Sequence, residues 1–444
     1  MKKFFKKHIG LAILLAIIVA FPASMSTQAR LNMRIIITGL AIDKTDKGYE
    51  VTAQIVKTAP GSGSEKSGST IDFVTDSGDT IVSAISKLSY KSGKVAGFSH
   101  TNFILLGKEM LEENLIKTLN YFLRDTLIKN SVLVLVAEDS AKDEIKKTKE
   151  LGLSVGLEIQ KVFVYKEKES DGAMTSLVSF MNKSLNPSKT TVASVLSMNS
   201  DSKNNEQGES STGSSNGQGS STGGSESGET ESQGSSEQGS AQSDNSSSSS
   251  GSSESSGESG ESKSESKYFD AITPLACFVS GKYVGNLESE EEILGYMYAE
   301  KKCIAEDISI DEVTFGQLKN AKVGVDVKYK KSSKKIRFEN NTPCLDICVK
   351  ISNASIKEVQ NEEFVHTITD QEFEYIKSKI EEKISQTIAV TFEKSKQLKA
   401  DVFGAFDLAN KFHYKKTKNN LESMEKFLDA LKLNVEVEVS RLEY

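Results

Sequence analysis

Two apolar runs near the start, Met33–Ile42 and Tyr49–Lys57, read as strands either side of Thr45-Asp-Lys-Gly48, a pattern that predicts a hairpin. From Thr80 to Tyr90 the period changes. Ile81, Ala84, Ile85 and Leu88 recur at steps of three and four, which places them on one face of a helix. Thr101–Leu106 is a short apolar strand, and Leu111, Leu115, Leu119 and Phe122 follow at helical spacing. Ser131–Ala137 holds Val-Leu-Val-Leu-Val, which suits a strand buried on both faces, and a Lys/Glu-rich helix is expected from Ser140. Strand, helix, strand, helix, strand in this order predicts a mixed α/β half, its sheet covered by helices.

The second half has another rhythm. Leu275–Val279 and Lys282–Val284 flank Ser280-Gly281 as strand, turn and strand, and Glu288–Glu300 reads as a helix with acidic residues at its start, where the helix dipole favours them. Three strands are expected at Lys322–Tyr329, Lys335–Glu339 and Leu345–Ile351, with Val323, Val325 and Val327 on one face. From Asp370 the residues Phe373, Ile376, Ile380, Ile384, Ile388 and Phe392 form one buried stripe on a helix roughly 40 Å long. A shorter helix is expected over Asn419–Leu431, and Leu433–Val439 alternates as a closing strand with an apolar inner face. This half is α+β, a strand-rich unit with one long packed helix.

Between the halves the composition collapses. Residues 199–267 are almost entirely Ser, Gly, Glu, Gln and Asn, too poor in apolar side chains to offset the entropy of ordering, so a disordered linker is expected. Of the chain's net charge of −7, Asp201–Lys267 contributes −9, so the remainder is close to neutral. A flexible chain of this length spans an r.m.s. distance on the order of 45 Å. The organisation read from sequence is a signal peptide or N-terminal anchor at 1–29, an α/β domain at 30–198, the linker at 199–267, a small middle domain at 268–306 and an α+β domain at 307–444. The first segment carries Lys2, Lys3, Lys6 and Lys7 ahead of the apolar run Ile9–Phe21, and small residues suited to cleavage follow at Ser24 with Ser26, or Thr27 with Ala29. Cleavage and retention both remain open; either reading sends the chain out of the cytoplasm.

Candidate chemistry is sparse. With a net charge of −7, the chain lacks the basic excess of a nucleic-acid binder. Cys344 and Cys348 are four apart in a predicted strand, hence ~13 Å between Cα atoms, too far for a disulfide. Cys277, Cys303, Cys344 and Cys348 are therefore read as small apolar core residues. The histidines His8, His100, His366 and His413 are dispersed, with no metalloprotease or nucleophile-elbow motif, and His100 is read as structural. Ser99-His100-Thr101-Asn102 offers a weak polar-pocket signal. Glu288–Glu292 reads as a solvated helix start before a cation site, and Gly61–Gly68 as a flexible loop before a phosphate loop. No catalytic, cofactor-binding or metal-binding residue is assigned, no cofactor is expected, and the chain is not read as an enzyme.

Three separated stretches carry a resemblance. They are Gly39-Leu-Ala-Ile-Asp43 with Gly48–Gln54, then Phe98-Ser-His-Thr-Asn-Phe-Ile-Leu-Leu-Gly107, then Leu275–Gly285 closed by Glu290, Glu291 and Glu292. Leu119–Asp125, Val132–Ala137, Lys399-Ala-Asp401-Val-Phe-Gly404 and Val435–Arg441 extend it. In order and content these resemble the C subunit of bacterial spore germinant receptors, the Ger(x)C family. The resemblance implies a three-domain extracytoplasmic protein at the outer face of the spore inner membrane. Its implied partners are two membrane-embedded receptor subunits, one transporter-like, and the membrane surface, in a complex that senses nutrients and triggers germination. It implies no catalytic residue. The family is normally a lipoprotein, yet Phe21–Asn32 contains no Cys to carry the lipid, and the chain has no Trp where the family often places it. A secreted cell-envelope binding or adhesion protein is the alternative expectation.

Overall fold

The computed structural model describes residues 34–58, 69–124, 128–151, 155–168, 172–196, 198–200, 267–269, 273–300, 305–360, 368–420 and 423–443. The expected N-terminal signal or anchor and the expected linker lie outside these residues, apart from the short stretches 198–200 and 267–269, as do Cys303, His366 and the 61–68 loop.

The predicted hairpin forms from β1 (Arg34–Thr45) and β2 (Gly48–Thr58). A third strand, β3 (Ser69–Gly78), continues it antiparallel. Its sequence, Ser-Thr-Ile-Asp-Phe-Val-Thr-Asp-Ser-Gly, is polar enough to pass for loop, and pairing with β2 supplies what propensity does not. On the other side of β1 lie β4 (Val95–Gly97), β5 (Phe103–Leu106), β6 (Leu133–Ala137) and β7 (Thr190–Leu196). Strands β1, β5, β6 and β7 run parallel, as expected of short fully apolar strands joined by helical crossovers.

The helix at Ile81–Ser92 starts with Thr80, whose hydroxyl accepts from the Ser83 N–H, and buries Ile81, Ala84, Ile85 and Leu88 as the spacing predicts. The single helix expected through Leu111–Phe122 is two pieces, a 3-10 turn at Lys108–Glu112 and an α-helix at Leu115–Arg124. Helices at Ala141–Lys147, where one is expected from Ser140, at Val155–Lys168 and at Leu177–Leu185 complete this half. Met198–Ser200 (β8) and Lys267–Phe269 (β9) pair as a short separate ribbon.

The expected middle domain has no core of its own among the described residues. Its hairpin, β10 (Leu275–Val279) and β11 (Lys282–Leu287), adds to the first sheet through antiparallel pairing of β10 with β7, giving the order β11-β10-β7-β6-β5-β1-β2-β3. Successive side chains of β10 then enter different cores. Ala276 and Phe278 join the helix-covered core of the first half, whereas Leu275 and Cys277 join that of the second. The following helix, Glu290–Ala299, packs on the second half, with Ile293, Tyr296 and Met297 buried. Its Ser289–Glu292 capping box satisfies the first-turn N–H groups, so Ser289→Ala is expected to cost about 1 kcal/mol, read as a shift in the urea midpoint.

The second sheet has the order β12 (Ala305–Phe315), β13 (Leu318–Glu339), β14 (Thr342–Gln360) and β15 (Lys432–Val439), with β16 (Leu442–Glu443) beside β14. The two strands expected at Lys322–Tyr329 and Lys335–Glu339 are one continuous strand. The polar stretch between them resembles a loop, but Lys330 Nζ donates to Met297 O at 2.5 Å and Ser332 Oγ to Ala299 O at 2.9 Å. Those carbonyls lie in the last turn of the Glu290–Ala299 helix, where Met297 O also accepts the Glu300 N–H at 3.2 Å, so the strand's polar side chains add to its C-terminal cap. The helix Asp370–Gln397 covers this sheet, with Ile376, Ile380, Ile384 and Ile388 fully buried and Phe373 half-buried. The helix expected at Asn419–Leu431 is shorter, Met424–Ala430, and Ala405–Asn420 forms a helix that the apolar pattern did not mark. The last segment enters the sheet parallel to β14, its apolar face inward.

Candidate functional site

The motifs that carry the resemblance are spent on the fold. Gly39 faces Phe103 across the β1–β5 ladder, and a Cβ there would lie 2.3 Å from the ring. Asp43, at the carboxyl end of β1, accepts the Ala141 N–H at 2.7 Å and the Lys142 N–H at 2.8 Å, capping the Ala141–Lys147 helix, and only a glycine at 107 leaves it room. Burial raises the Asp43 carboxyl above its ordinary range, against the pull of those two N–H groups.

The Lys399–Gly404 motif sits where the two halves meet. Asp401 is buried, and its carboxylate accepts the Ala405 and Phe406 N–H groups, each at 2.8 Å, at the start of the Ala405–Asn420 helix. Its own N–H donates to Thr190 Oγ1 at 3.2 Å, on β7 of the other half. Desolvation outweighs the two N–H groups and pushes its pKa up to about 6. One turn on, Asp407 accepts from Ser188 N–H (2.7 Å), Ser188 Oγ (3.0 Å) and Asn186 Nδ2 (3.1 Å). A cavity of about 210 Å³ lies beside this clasp, with Lys334 and Glu300 in its wall, 2.9 Å apart. Burial alone would raise Glu300, but the charges of Lys334 and Lys183 overcome it and hold the carboxyl below its ordinary range. Asp407→Ala removes three hydrogen bonds between the halves and is expected to cost about 1–2 kcal/mol, measured by urea denaturation.

A larger cleft, about 680 Å³, opens outside the carboxyl ends of β6 and β7. Lys108 and Glu112 reach it from the turn after β5, Glu138 from the end of β6, and Tyr283, Asn286 and Glu288 from β11 and beyond. Asn286 Nδ2 donates to Glu288 Oε1 at 3.2 Å, while its buried Oδ1 finds no partner among the described residues. Burial raises the Tyr283 hydroxyl, so it remains a donor at neutral pH. Donors, acceptors and both signs of charge converge here, an arrangement suited to holding a polar ligand or a partner's polar loop.

The weaker sequence signals resolve differently. His100 is exposed on a turn, so it is not a packed histidine; the buried neighbour is Thr101, whose hydroxyl donates to Ile37 O at 3.2 Å. Asn102 bridges strands, its N–H to Thr38 O and its carbonyl to Leu133 N–H, both at 2.9 Å. Glu292 is committed to its capping box and to Lys394 at 3.2 Å, and no cluster of three metal-ligating side chains occurs among the described residues. Cys277 and Cys344 are buried free thiols, and Cys348 is half-buried. Lys282, Tyr283 and Val136–Ala137 stand in the sequence as strand residues and Glu288 as a helix start, but nothing there joins them to Lys108, Glu112 and Glu138, which come from other segments.

Fold and site together define a mixed α+β body of two main sheets, its halves joined through Asp401 and Asp407. Residues 27–198 match the family described as "Spore germination protein N-terminal domain", and residues 273–442 match "Spore germination B3/ GerAC like, C-terminal". The chain belongs to the Ger(x)C family of spore germination proteins. It is 34% identical over 113 residues to spore germination protein B3 of Bacillus subtilis (strain 168), a match spanning 24% of this chain and 29% of that relative. The crystal structure of the GerBC protein is similar at 15% identity and a TM-score of 0.46, over 91% of this chain and 96% of that one.

Proposed function

We propose that this chain is a non-enzymatic, extracytoplasmic subunit of a nutrient germinant receptor. In this reading it lies at the outer face of the spore inner membrane and works through contact with two membrane-embedded subunits, one of them transporter-like. The observation that carries the reading is the ordered match of both halves to the spore germination families, over 27–198 and 273–442. The fate of the motif residues supports it, since Gly39, Asp43 and Asp401 hold the fold and none of the three lines the polar cleft. No helix among the described residues is long and apolar enough to cross a membrane, so in this reading attachment comes from surface contact, from partners or from the N-terminal apolar run.

The test is a deletion strain together with co-purification from spore membranes. The expected result is slowed nutrient germination and recovery of the protein with multi-span membrane subunits. Normal germination without the gene would sink the reading, and recovery of the protein from the medium of vegetative cultures would favour a secreted envelope protein instead.

A further inference from the structure

The Ala405–Asn420 helix is broken at His413, whose backbone (φ −134°, ψ 33°) is not helical. The break has a local cause. The His413 ring turns inward, with Nε2 3.2 Å from Ile336 O and its edge against Phe338 at 5.5 Å between centroids. In an unbroken helix, residues 412 and 414 would point to nearly opposite faces, and one would be buried against β13. Here both stay outside, Phe412 at 63% and Tyr414 at 57% exposure.

Four exposed lysines surround these rings, Lys411, Lys415, Lys416 and Lys418, and no acidic residue occurs between Asp407 and Glu422. None of the four forms an ion pair with a described carboxylate. Instead Lys411 lies over Phe412 at 5.2 Å, Lys418 over Tyr414 at 5.9 Å and Lys416 over Phe338 at 5.6 Å. Residues 408–421 thus carry four lysines and no acidic residue, beside two exposed aromatic side chains.

We propose that this face contacts the surface of an anionic lipid bilayer, the lysines meeting headgroup phosphates while Phe412 and Tyr414 enter the headgroup–acyl boundary. The inference rests on the membrane location proposed above and adds which face meets the lipid. Three features favour lipid over a protein partner. The surface is the outer side of a helix packed on β13 rather than a groove. Its cations are point charges on flexible stems with no fixed geometry, Tyr414 is the amphipathic kind of aromatic that settles at a membrane interface, and Phe412 supplies a purely apolar ring. Charge complementarity adds to this, because no carboxylate between residues 408 and 421 offsets the attraction of the four lysines to phosphates.

The chain contains no Trp, so Phe412→Trp in the full-length protein is a unique fluorescent reporter at an exposed site. With phosphatidylglycerol vesicles its emission is expected to move to shorter wavelength, with no change on phosphatidylcholine vesicles. Tyr90→Trp, 83% exposed on the Ile81–Ser92 helix, is expected to stay unshifted, which separates local contact from attachment through any other segment. Adding Lys411→Ser, Lys415→Ser, Lys416→Ser and Lys418→Ser is expected to weaken the response at position 412 by about a hundredfold or more in lipid concentration. A silent reporter on anionic vesicles, an equal shift on neutral ones, or a shift that needs reconstituted membrane protein would each overturn the assignment, the last giving the face to a protein partner. A silent reporter alongside a germination defect in the deletion strain sinks only the lipid contact; a responsive reporter with normal germination sinks only the receptor reading.

Discussion

Gly39→Val is expected to destabilise the protein by at least ~3 kcal/mol, the upper range for overpacking a filled core. The Phe103 ring, fully buried, lies where the new side chain would begin, its Cζ 2.3 Å from the position of a Cβ. Neither neighbour can yield, because β1 is hydrogen-bonded on both sides and the ring is enclosed by Leu105, Leu135 and Phe163 of the same core. The clash identifies its own partner. Combining Gly39→Val with Phe103→Ala is expected to cost less than the sum of the single changes by ~1 kcal/mol or more, read in urea midpoints. Strict additivity would mean that the two residues do not share this space.

Asp401→Ala is expected to cost roughly 3 kcal/mol near pH 5, because it leaves the Ala405 and Phe406 N–H groups unpaired in the buried junction. The loss depends on pH with a definite sign. The carboxyl's pKa is about 6 in the folded protein against 3.8 ordinarily, so the folded state holds the proton more tightly. Its contribution is fully present below about pH 4 and is lost as pH rises through 6. Wild type and Asp401→Ala should therefore converge towards pH 7, by an amount on the order of 3 kcal/mol at most. Urea midpoints at pH 5 and pH 7 provide the measurement. A gap that widens with pH would show that the ionised carboxylate is the form the junction prefers, contrary to the burial argument.

Legibility followed range. The stripe Ile376–Ile388, the face Ile81–Leu88 and the alternation Val323–Val327 were read correctly, since each depends only on the period of one element. Strand β3 and the polar centre of β13 were not, because their stability comes from neighbours. Ser69–Gly78 pairs with β2, and Lys330 and Ser332 cap a helix over thirty residues upstream. The same holds for sites. His100 stands out by residue type yet lies on an exposed turn, while Asn286 and Glu138 carry no signal in the sequence and Tyr283 reads only as a strand residue; the sheet brings them to one cleft.

Residue order alone was enough for the kinship, the element types and the two-part composition, because motifs, hydrophobic period and charge are local properties of a chain. How the halves join depended on contacts between distant residues. The hairpin Leu275–Leu287 reads as the opening of a separate domain, but β7 offered it an open edge, and alternate residues of β10 could then fill two cores at once. Asp401 and Asp407 look like ordinary surface carboxylates in the sequence. Only when Ser188 and Thr190 arrive from the other half do they become the clasp between the two, since hydrogen bonds across more than two hundred residues leave no periodic trace.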